Sequence, residues 1–125
     1  MKTRVYYHHT DCGGVVYYAN YLKFLEEART EYFELKNASI KQLADSGVMF
    51  VVARQEIDYK FPAVYGDELD IQTQVEAITG VRVEFLYQIY NQNKQIIAKA
   101  KTILVCVDKN LKPQAIPEEL RKKLG

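Results

Sequence analysis

The strongest apolar pattern in the chain predicts one long helix. Apolar residues recur at intervals of three and four, which places them on one face of a helix. The helix begins between Tyr18 and Tyr21 and ends at Lys36-Asn37. The apolar stripe comprises Tyr21, Leu25, Ala28, Tyr32 and Leu35, and Leu22, Phe24 and Phe33 widen it. A helix this apolar needs other structure on more than one side.

The remaining elements follow from shorter patterns. Ser39 and Gly47 fit the cap and the stop of a second helix over residues 40–46. Alternating apolar and polar residues predict strands over residues 3–8, 49–60, 69–77, 81–89 and 96–108. A two-residue hairpin at Thr79-Gly80 joins the third and fourth of these strands. Pro117 opens a short helix at the end of the chain.

The faces of these strands predict how the chain packs. In the strand over residues 49–60, one face carries Met49, Val51, Ala53, Ile57 and Tyr59, and the other carries Arg54, Glu56, Asp58 and Lys60. The last strand is apolar on both faces in its second half, which predicts a central position or a subunit contact. We therefore expect an α+β fold in a single domain of residues 1–125, with an antiparallel sheet of about five strands wrapped around the long helix. A half-wrapped helix also favours a homo-oligomer.

Composition and charge exclude several classes of function. The 125 residues are 48% hydrophobic and 26% charged, with a net charge of +1. This charge argues against a nucleic-acid or anionic-membrane partner. The apolar runs are too short to span a bilayer, so no stable membrane insertion is expected. Two cysteines in no recognisable pairing pattern favour a reducing compartment, and we predict a cytoplasmic protein.

The candidate chemistry lies in the turn before the long helix. Gly13 and Gly14 allow a sharp turn that sets Asp11 close to the helix N-terminus. That terminus has unpaired backbone N–H groups and a partial positive charge. A carboxylate facing it could attack an acyl group or activate water, while the amides hold the developing oxyanion. The alternative interpretation is ordinary turn chemistry, in which aspartate before glycine stabilises the turn.

The chain resembles the hotdog-fold acyl-CoA thioesterases over nearly its whole length. The likeness rests on Thr-Asp-x-Gly-Gly-Val-Val-Tyr-Tyr-Ala-Asn-Tyr over residues 10–21 and on Glu-Glu-Ala-Arg-Thr-Glu over residues 26–31. It is nearest to the 4-hydroxybenzoyl-CoA thioesterases and the Tol-Pal-associated enzymes. The resemblance implies an acyl-CoA substrate, a homodimer or homotetramer, and no cofactor besides the coenzyme A of the substrate.

Residue roles follow from the same resemblance. Asp11 matches the family's catalytic aspartate, and Tyr18 occupies the position whose backbone amide polarises the thioester carbonyl. Many Tol-Pal-type members have histidine at the position of Tyr18, whereas the hydroxybenzoyl-CoA enzymes have an aromatic residue. His9 stands where relatives often carry an acid. Because family sites lie at the dimer interface, residues of the partner around Lys60 or Thr79 are expected to complete the pocket.

Five further residues are candidates for substrate binding: Gly14, Tyr17, Lys60, Thr79 and Arg82. Tyr17 could line an acyl pocket, although a core position is the simpler interpretation. Lys60 and Arg82, like Arg54, could clamp the phosphates of coenzyme A, because that ligand is strongly anionic. Each is otherwise a solvated residue on the polar face of a strand.

Four alternative interpretations compete with thioester hydrolysis by Asp11. His8, His9, Asp11 and Cys12 could suggest a metal site, but adjacent strand residues point to opposite faces, so we predict no metal. Cys12 beside His9 could suggest a thiol nucleophile. A hotdog dehydratase or hydratase would use His9 with Asp11. A non-catalytic acyl-CoA-binding module would bind the ester without turnover.

Overall fold

The long helix packs against one face of a five-stranded antiparallel sheet in the computed structural model, which describes residues 1–125. The elements in chain order are β1 (Lys2–Arg4), a 3-10 turn (Tyr7–His9), α1 (Asn20–Leu35), α2 (Ile40–Asp45), β2 (Met49–Tyr59), β3 (Glu68–Ile78), β4 (Arg82–Tyr90), β5 (Ile96–Val107) and α3 (Glu118–Leu124). The sheet order is β1-β3-β4-β5-β2. The predicted α+β class and the central position of the last strand are therefore confirmed.

Helix α1 is buried on one side and uncovered on another. Tyr21, Phe24, Leu25, Ala28 and Phe33 are buried, as the apolar spacing predicts. The prediction was wrong for the helix C-terminus and for one flank: Leu35 is 82% exposed and Leu22 is 46% exposed. None of the helices has both the length and the apolar composition needed to cross a membrane.

Aromatic contacts identify the side of the sheet that faces α1. The Phe33 ring lies 5.6 Å from that of Phe50 on β2 and 5.8 Å from that of Phe85 on β4. Tyr32 meets Phe85 edge to face at 5.6 Å. Tyr21, in the first turn of the helix, meets Tyr59 at the end of β2 at 5.4 Å. The helix therefore lies across the sheet, next to β3 and in side-chain contact with β2 and β4, with its N-terminus at the Tyr59 end.

A β-bulge corrects the predicted faces of β2. The register with β5 shifts between Val52 and Arg54. Because paired residues share a face, Phe50 and Val52 lie on the helix side together with Ile57 and Tyr59. Met49 and Val51 lie on the opposite face, not with Ile57 as the alternation predicted. A bulge of this kind adds one residue to the strand and reverses every side chain before it.

Two other local predictions also need correction. The first strand ends at Arg4, and Tyr7–His9 form a 3-10 turn instead of continuing the strand to His8. The β3–β4 hairpin has a three-residue connection, because β3 ends at Ile78 and β4 begins at Arg82. The short helices α2 and α3 lie where the sequence predicts them.

Candidate active site

A tight hairpin carries Asp11. Thr10 and Val16 form an isolated antiparallel bridge, and the Asp11 N–H donates to the Val15 carbonyl at 3.0 Å. The turn closes with the Gly14 N–H donating to the Asp11 carbonyl at 3.0 Å. Gly14 has a φ of 79°, a conformation that glycine adopts without steric cost. The glycine pair therefore fixes the position of the aspartate.

The Asp11 side chain is exposed, and only one of its two carboxylate oxygens takes part in the turn. Its Oδ1 accepts the Gly13 N–H at 2.8 Å. A Cβ at position 13 would lie 3.1 Å from the same oxygen, so a larger residue there would press on the carboxylate. Oδ2 makes no hydrogen bond within the chain. The ordinary turn role and a chemical role are thus compatible, because each uses a different oxygen.

Three hydrogen bonds fasten this hairpin to the start of α1. The Tyr17 N–H donates to the His9 carbonyl at 2.9 Å, and the Asn20 side-chain Nδ2 donates to the same carbonyl at 2.8 Å. The Asn20 N–H donates to the Tyr17 carbonyl at 2.8 Å. The strand bearing Tyr17 is held from below as well, since the Val16 N–H donates to the carbonyl of buried Ala63 at 2.8 Å. The turn and the helix entrance therefore form one rigid unit.

The Tyr18 amide at this entrance has no partner in the chain. Its N–H donates to no backbone or side-chain acceptor, while the Tyr18 carbonyl accepts the Tyr59 hydroxyl at 3.1 Å. The helix has no side-chain cap, because its N-cap residue is Ala19. An uncapped helix start carries a partial positive charge, which favours an anion or a developing oxyanion.

Tyr17 lies beside both proposed catalytic groups. Its ring centroid is 4.9 Å from that of Tyr18, and its side chain is 44% exposed. A hydrogen bond and the charge of Tyr18 raise the pKa of Tyr17, and the negative charge of Asp11 adds to the shift. The phenol therefore stays neutral at ordinary pH, and an uncharged aromatic surface borders the turn.

His9 has a structural role that excludes free acid–base chemistry at one ring nitrogen. Its Nδ1 accepts the Tyr6 N–H at 2.9 Å, and its ring meets Phe24 at 5.0 Å. Burial lowers the pKa of His9, and the nearby charges of His8 and Lys23 lower it further. The strand argument that separated His8 from His9 was wrong, because their ring centroids are 4.0 Å apart. Even so, no three His, Cys, Asp or Glu side chains are grouped to hold a metal ion.

The predicted substrate-binding residues fall into two distant groups. Gly14 and Tyr17 lie in the Asp11 hairpin, and Lys60 follows Tyr59 at the same end of the sheet. Thr79 and Arg82 lie at the opposite end. On β5, Ala98 pairs with Tyr59 and Val105 pairs with Arg82, which separates the two ends by about 23 Å over seven residues. One chain therefore does not bring Thr79 and Arg82 to Asp11.

Two residues of the site were not predicted from the sequence. Asn20 had a local signal, since asparagine is a common residue at a helix start, and it binds the hairpin through its side chain. Tyr59 had none, because the alternation placed it among core residues and its contact with Tyr18 spans 41 positions. Its side chain is half exposed, and burial raises its pKa.

Comparison with known proteins identifies the family. Residues 5–124 match the model of the thioesterase-like superfamily. The chain is 39% identical to the acyl-CoA thioester hydrolase YbgC of Escherichia coli over 94% of this chain and 88% of that protein. It is 39% identical to the acyl-CoA thioesterase YbgC of Haemophilus influenzae over 97% and 90%.

A solved structure supports the same assignment. A hypothetical protein from Aquifex aeolicus superposes with a TM-score of 0.95 at 29% identity, over 100% of this chain and 98% of that one. The family match covers both the Asp11 hairpin and α1. The chain therefore belongs to the thioesterase-like superfamily and is a thioester hydrolase with the hotdog fold.

Proposed function

We propose that the protein hydrolyses acyl-CoA thioesters to a free acid and coenzyme A, with Asp11 and the Tyr18 amide as the reacting machinery. The names of the two YbgC relatives support this class of substrate. The observation that carries the assignment is the unpaired Tyr18 N–H, held by the same hydrogen bonds that fix the hairpin of Asp11. A thioester carbonyl placed between the two would meet a donor on its oxygen and a carboxylate near its carbon.

The reaction balances with water as the only co-reactant. The thioester oxygen accepts the Tyr18 N–H, which stabilises the charge that develops there. Asp11 then either removes a proton from the attacking water or attacks the carbonyl carbon itself, in which case water hydrolyses the resulting acyl-aspartyl anhydride and restores the carboxylate. The carbon–sulfur bond breaks, and the thiolate of coenzyme A takes up a proton. The proposed reaction needs no metal or redox cofactor.

The environment of His9 favours hydrolysis over hydration or dehydration of an acyl thioester. A dehydratase would need an imidazole free to exchange a proton with the substrate. Nδ1 of His9 is already the acceptor of the Tyr6 N–H, and the ring is packed on Phe24. His9 therefore supports the turn and the helix entrance, while Asp11 remains the exposed proton acceptor. Hydration of an enoyl-CoA should accordingly be absent.

A second copy of the chain would complete the site. Strand β2 is an edge of the sheet, and Val51 and Val52 are 40% and 51% exposed on it. An edge strand of eleven residues with exposed apolar side chains near its start is a template for pairing with another strand. Antiparallel pairing of two β2 strands would set the Met49 end of one copy beside the Tyr59 end of the other. Thr79 and Arg82 of the partner would then approach Asp11, so we propose a homodimer, or a homotetramer built from two such dimers.

The phosphates of coenzyme A need cations at this shared site. Lys60 of one copy and Arg82 of the other would supply them from two sides. We also propose a cytoplasmic location, since Cys12 and Cys106 are both unpaired.

Intersubunit complementation tests the shared site: Asp11→Asn and Arg82→Met proteins are mixed, unfolded and refolded together. We expect the refolded mixture to be more active at low substrate concentration than either variant alone, because a mixed dimer has one intact site out of two. No gain on mixing would mean that Arg82 of the partner does not contribute to the site of Asp11.

The direct test of the proposed function is Asp11→Asn assayed across acyl-CoA esters of different chain length and an aromatic series. Asparagine still accepts the Gly13 N–H but neither attacks nor takes a proton. We expect kcat to fall by about 10²- to 10⁴-fold. The matched control is Asp108→Asn, because Asp108 also accepts turn amides, from Asn110 at 2.8 Å and Lys112 at 3.1 Å. Equal hydrolysis by Asp11→Asn and the parent would refute the assignment.

A further inference from the structure

An apolar groove between α1, α2 and β2 contains a cation without an acidic partner. The groove has a volume of about 300 Å³. Its lining, here called the α1–β2 groove, comprises Glu26, Arg29, Thr30, Phe33, Ile40, Ala44, Val48, Met49, Phe50, Val52 and Leu104. An apolar cleft with one fixed charge is typical of a site that binds a largely apolar ligand with one polar group.

Arg29 is the half-buried cation of this groove. Its Nη1 donates to the Tyr87 hydroxyl at 3.3 Å and to Thr102 Oγ1 at 3.4 Å, which are long contacts to neutral groups. No carboxylate lies within 4.0 Å of its guanidinium. Glu26, the one acid in the lining, is exposed and accepts the Thr30 hydroxyl at 3.4 Å instead. A partly desolvated guanidinium without a counter-ion is costly, and a carboxylate is the ion it pairs with best.

The contacts of Arg29 position the guanidinium and leave its charge unbalanced. Thr102 is fully buried and donates to Gln55 Oε1 at 2.6 Å. Gln55 in turn donates to the Lys101 carbonyl at 2.9 Å. These bonds hold Thr102 on β5, Tyr87 is buried on β4, and each offers Arg29 an oxygen. Nε and Nη2 of Arg29 make no hydrogen bond and remain available to a ligand.

The surface of α1 between this groove and the Tyr18 amide is exposed. Leu22, Glu26 and Arg29 follow one another at helical spacing on one side of α1, and Tyr18 lies just before the helix; Tyr18 and Leu22 are 62% and 46% exposed. Arg29 lies about 14 Å from Asn20 along the axis, nine residues at 1.5 Å each. Its side chain leans back toward the helix N-terminus, which shortens the path. An acyl chain of medium length would span it.

We propose that the α1–β2 groove holds the distal part of the acyl group and that Arg29 pairs with a carboxylate at its end. The inference rests on the proposed function and names the substrate class: the mono-CoA thioester of a medium-length dicarboxylic acid. The carboxylate would provide the missing counter-ion, and the apolar lining would cover the methylene chain. Arg29 is thus a specificity-determining residue and touches no reacting atom.

The test compares suberoyl-CoA with octanoyl-CoA, which have the same chain length and differ in the terminal carboxylate. We expect the parent to favour suberoyl-CoA in kcat/KM. Arg29→Met should lower the suberoyl-to-octanoyl ratio by about tenfold or more, the loss of one charge-assisted hydrogen bond. Arg29→Lys should retain part of the preference, because it keeps the charge. The control is Lys41→Met, which removes an exposed cation from α2 beside the same groove.

Each other outcome has a defined meaning. A preference of the unmodified protein for octanoyl-CoA would overturn the proposal. An unchanged suberoyl-to-octanoyl ratio in Arg29→Met, with a lower melting temperature, would also overturn it and leave Arg29 as a link between helix and sheet. An equal shift in Lys41→Met would overturn it in favour of a general charge effect. Titration of both esters into Asp11→Asn, with and without Arg29→Met, measures the same selectivity without turnover. If these titrations show selectivity for suberoyl-CoA but the unmodified protein hydrolyses neither ester, the proposed function is rejected and the binding proposal for Arg29 stands.

Discussion

Helices α1 and α2 begin in opposite ways. In α2, the Ser39 hydroxyl accepts the Gln42 N–H at 3.3 Å and so satisfies one of the unpaired donors of the first turn. In α1, Ala19 occupies the corresponding position and the Tyr18 N–H has no acceptor. A side-chain cap is worth about 1 kcal/mol, so its absence weakens the start of the longer helix. Under the proposed function, the open Tyr18 N–H before α1 is the donor that binds the thioester oxygen.

Burial explains why α1 tolerates an open start. Phe24, Leu25 and Phe33 are almost completely buried, whereas no residue of α2 is fully buried. Each such side chain contributes about 2 kcal/mol, which exceeds the value of a cap. Asn20 adds a tether from the helix to the Asp11 hairpin. A helix that is stabilised by burial along its length can form without a side-chain cap at its N-terminus.

The largest effect is expected from a backbone change that removes one N–H at the start of α1 or of α2. Replacement of the Tyr18 peptide N–H by an ester oxygen removes the proposed oxyanion donor and breaks no internal hydrogen bond of that N–H, although the Tyr17 ester carbonyl becomes a weaker acceptor for the Asn20 N–H. We expect kcat to fall by about 10²- to 10³-fold with a loss of no more than about 1 kcal/mol in the free energy of unfolding. The same replacement at Gln42 should lower the free energy of unfolding by about 1 kcal/mol and leave kcat alone. The reverse pattern would show that the two helix starts differ only structurally.

A smaller loss is expected when the tether is cut. Asn20→Ala removes the 2.8 Å hydrogen bond to the His9 carbonyl, so the hairpin and the helix entrance can separate. We expect kcat to fall by about tenfold, since small displacements of reacting groups are expensive. Stopped-flow or steady-state hydrolysis measures it, with Asn110→Ala, in the turn after β5, as the control. Full activity in Asn20→Ala would mean that other contacts position Asp11.

The weakest of these effects is a pH dependence of stability from His9. Its pKa is lowered in the folded state, so as pH falls the unfolded chain binds a proton first, from about 6.5. This contribution to the free energy of unfolding is present above about pH 6.5 and is lost as pH falls toward the folded pKa. His9→Asn keeps an acceptor for the Tyr6 N–H and does not titrate. The free energy of urea unfolding should fall less steeply from about pH 7 to about pH 5 in that variant, and equal slopes would contradict the assignment.

Local sequence patterns predict helix α1, the four long strands and the turn that carries Asp11. The spacing of apolar residues predicts α1 and four long strands because burial of one face decides each of them. The glycine pair predicts the Asp11 hairpin because few other sequences turn so sharply. The bulge in β2 escaped prediction, since Val51, Val52 and Ala53 are all apolar and fit either face. In such a run no polar residue marks the extra position.

Other features depend on contacts distant in sequence. Tyr7–His9 fit a strand by residue type, but the bond from the Tyr6 N–H to His9 Nδ1 stabilises a 3-10 turn instead. The missing counter-ion of Arg29 is visible only when α1, β4 and β5 are placed together. Thr79 and Arg82 lie far from Asp11 within one chain, and their proposed relation to it needs a second copy, which no apolar pattern within one chain could show.

A crystal structure of the Asp11→Asn variant with a slowly hydrolysed acyl-CoA would test the proposed pairing of carboxylate and amide without any kinetic assumption. We predict the thioester oxygen at about 2.7–3.1 Å from the Tyr18 nitrogen, with the introduced asparagine side chain next to the carbonyl carbon. A thioester bound with its oxygen directed away from the start of α1, or with the Tyr18 amide covered by protein atoms, would contradict the proposal.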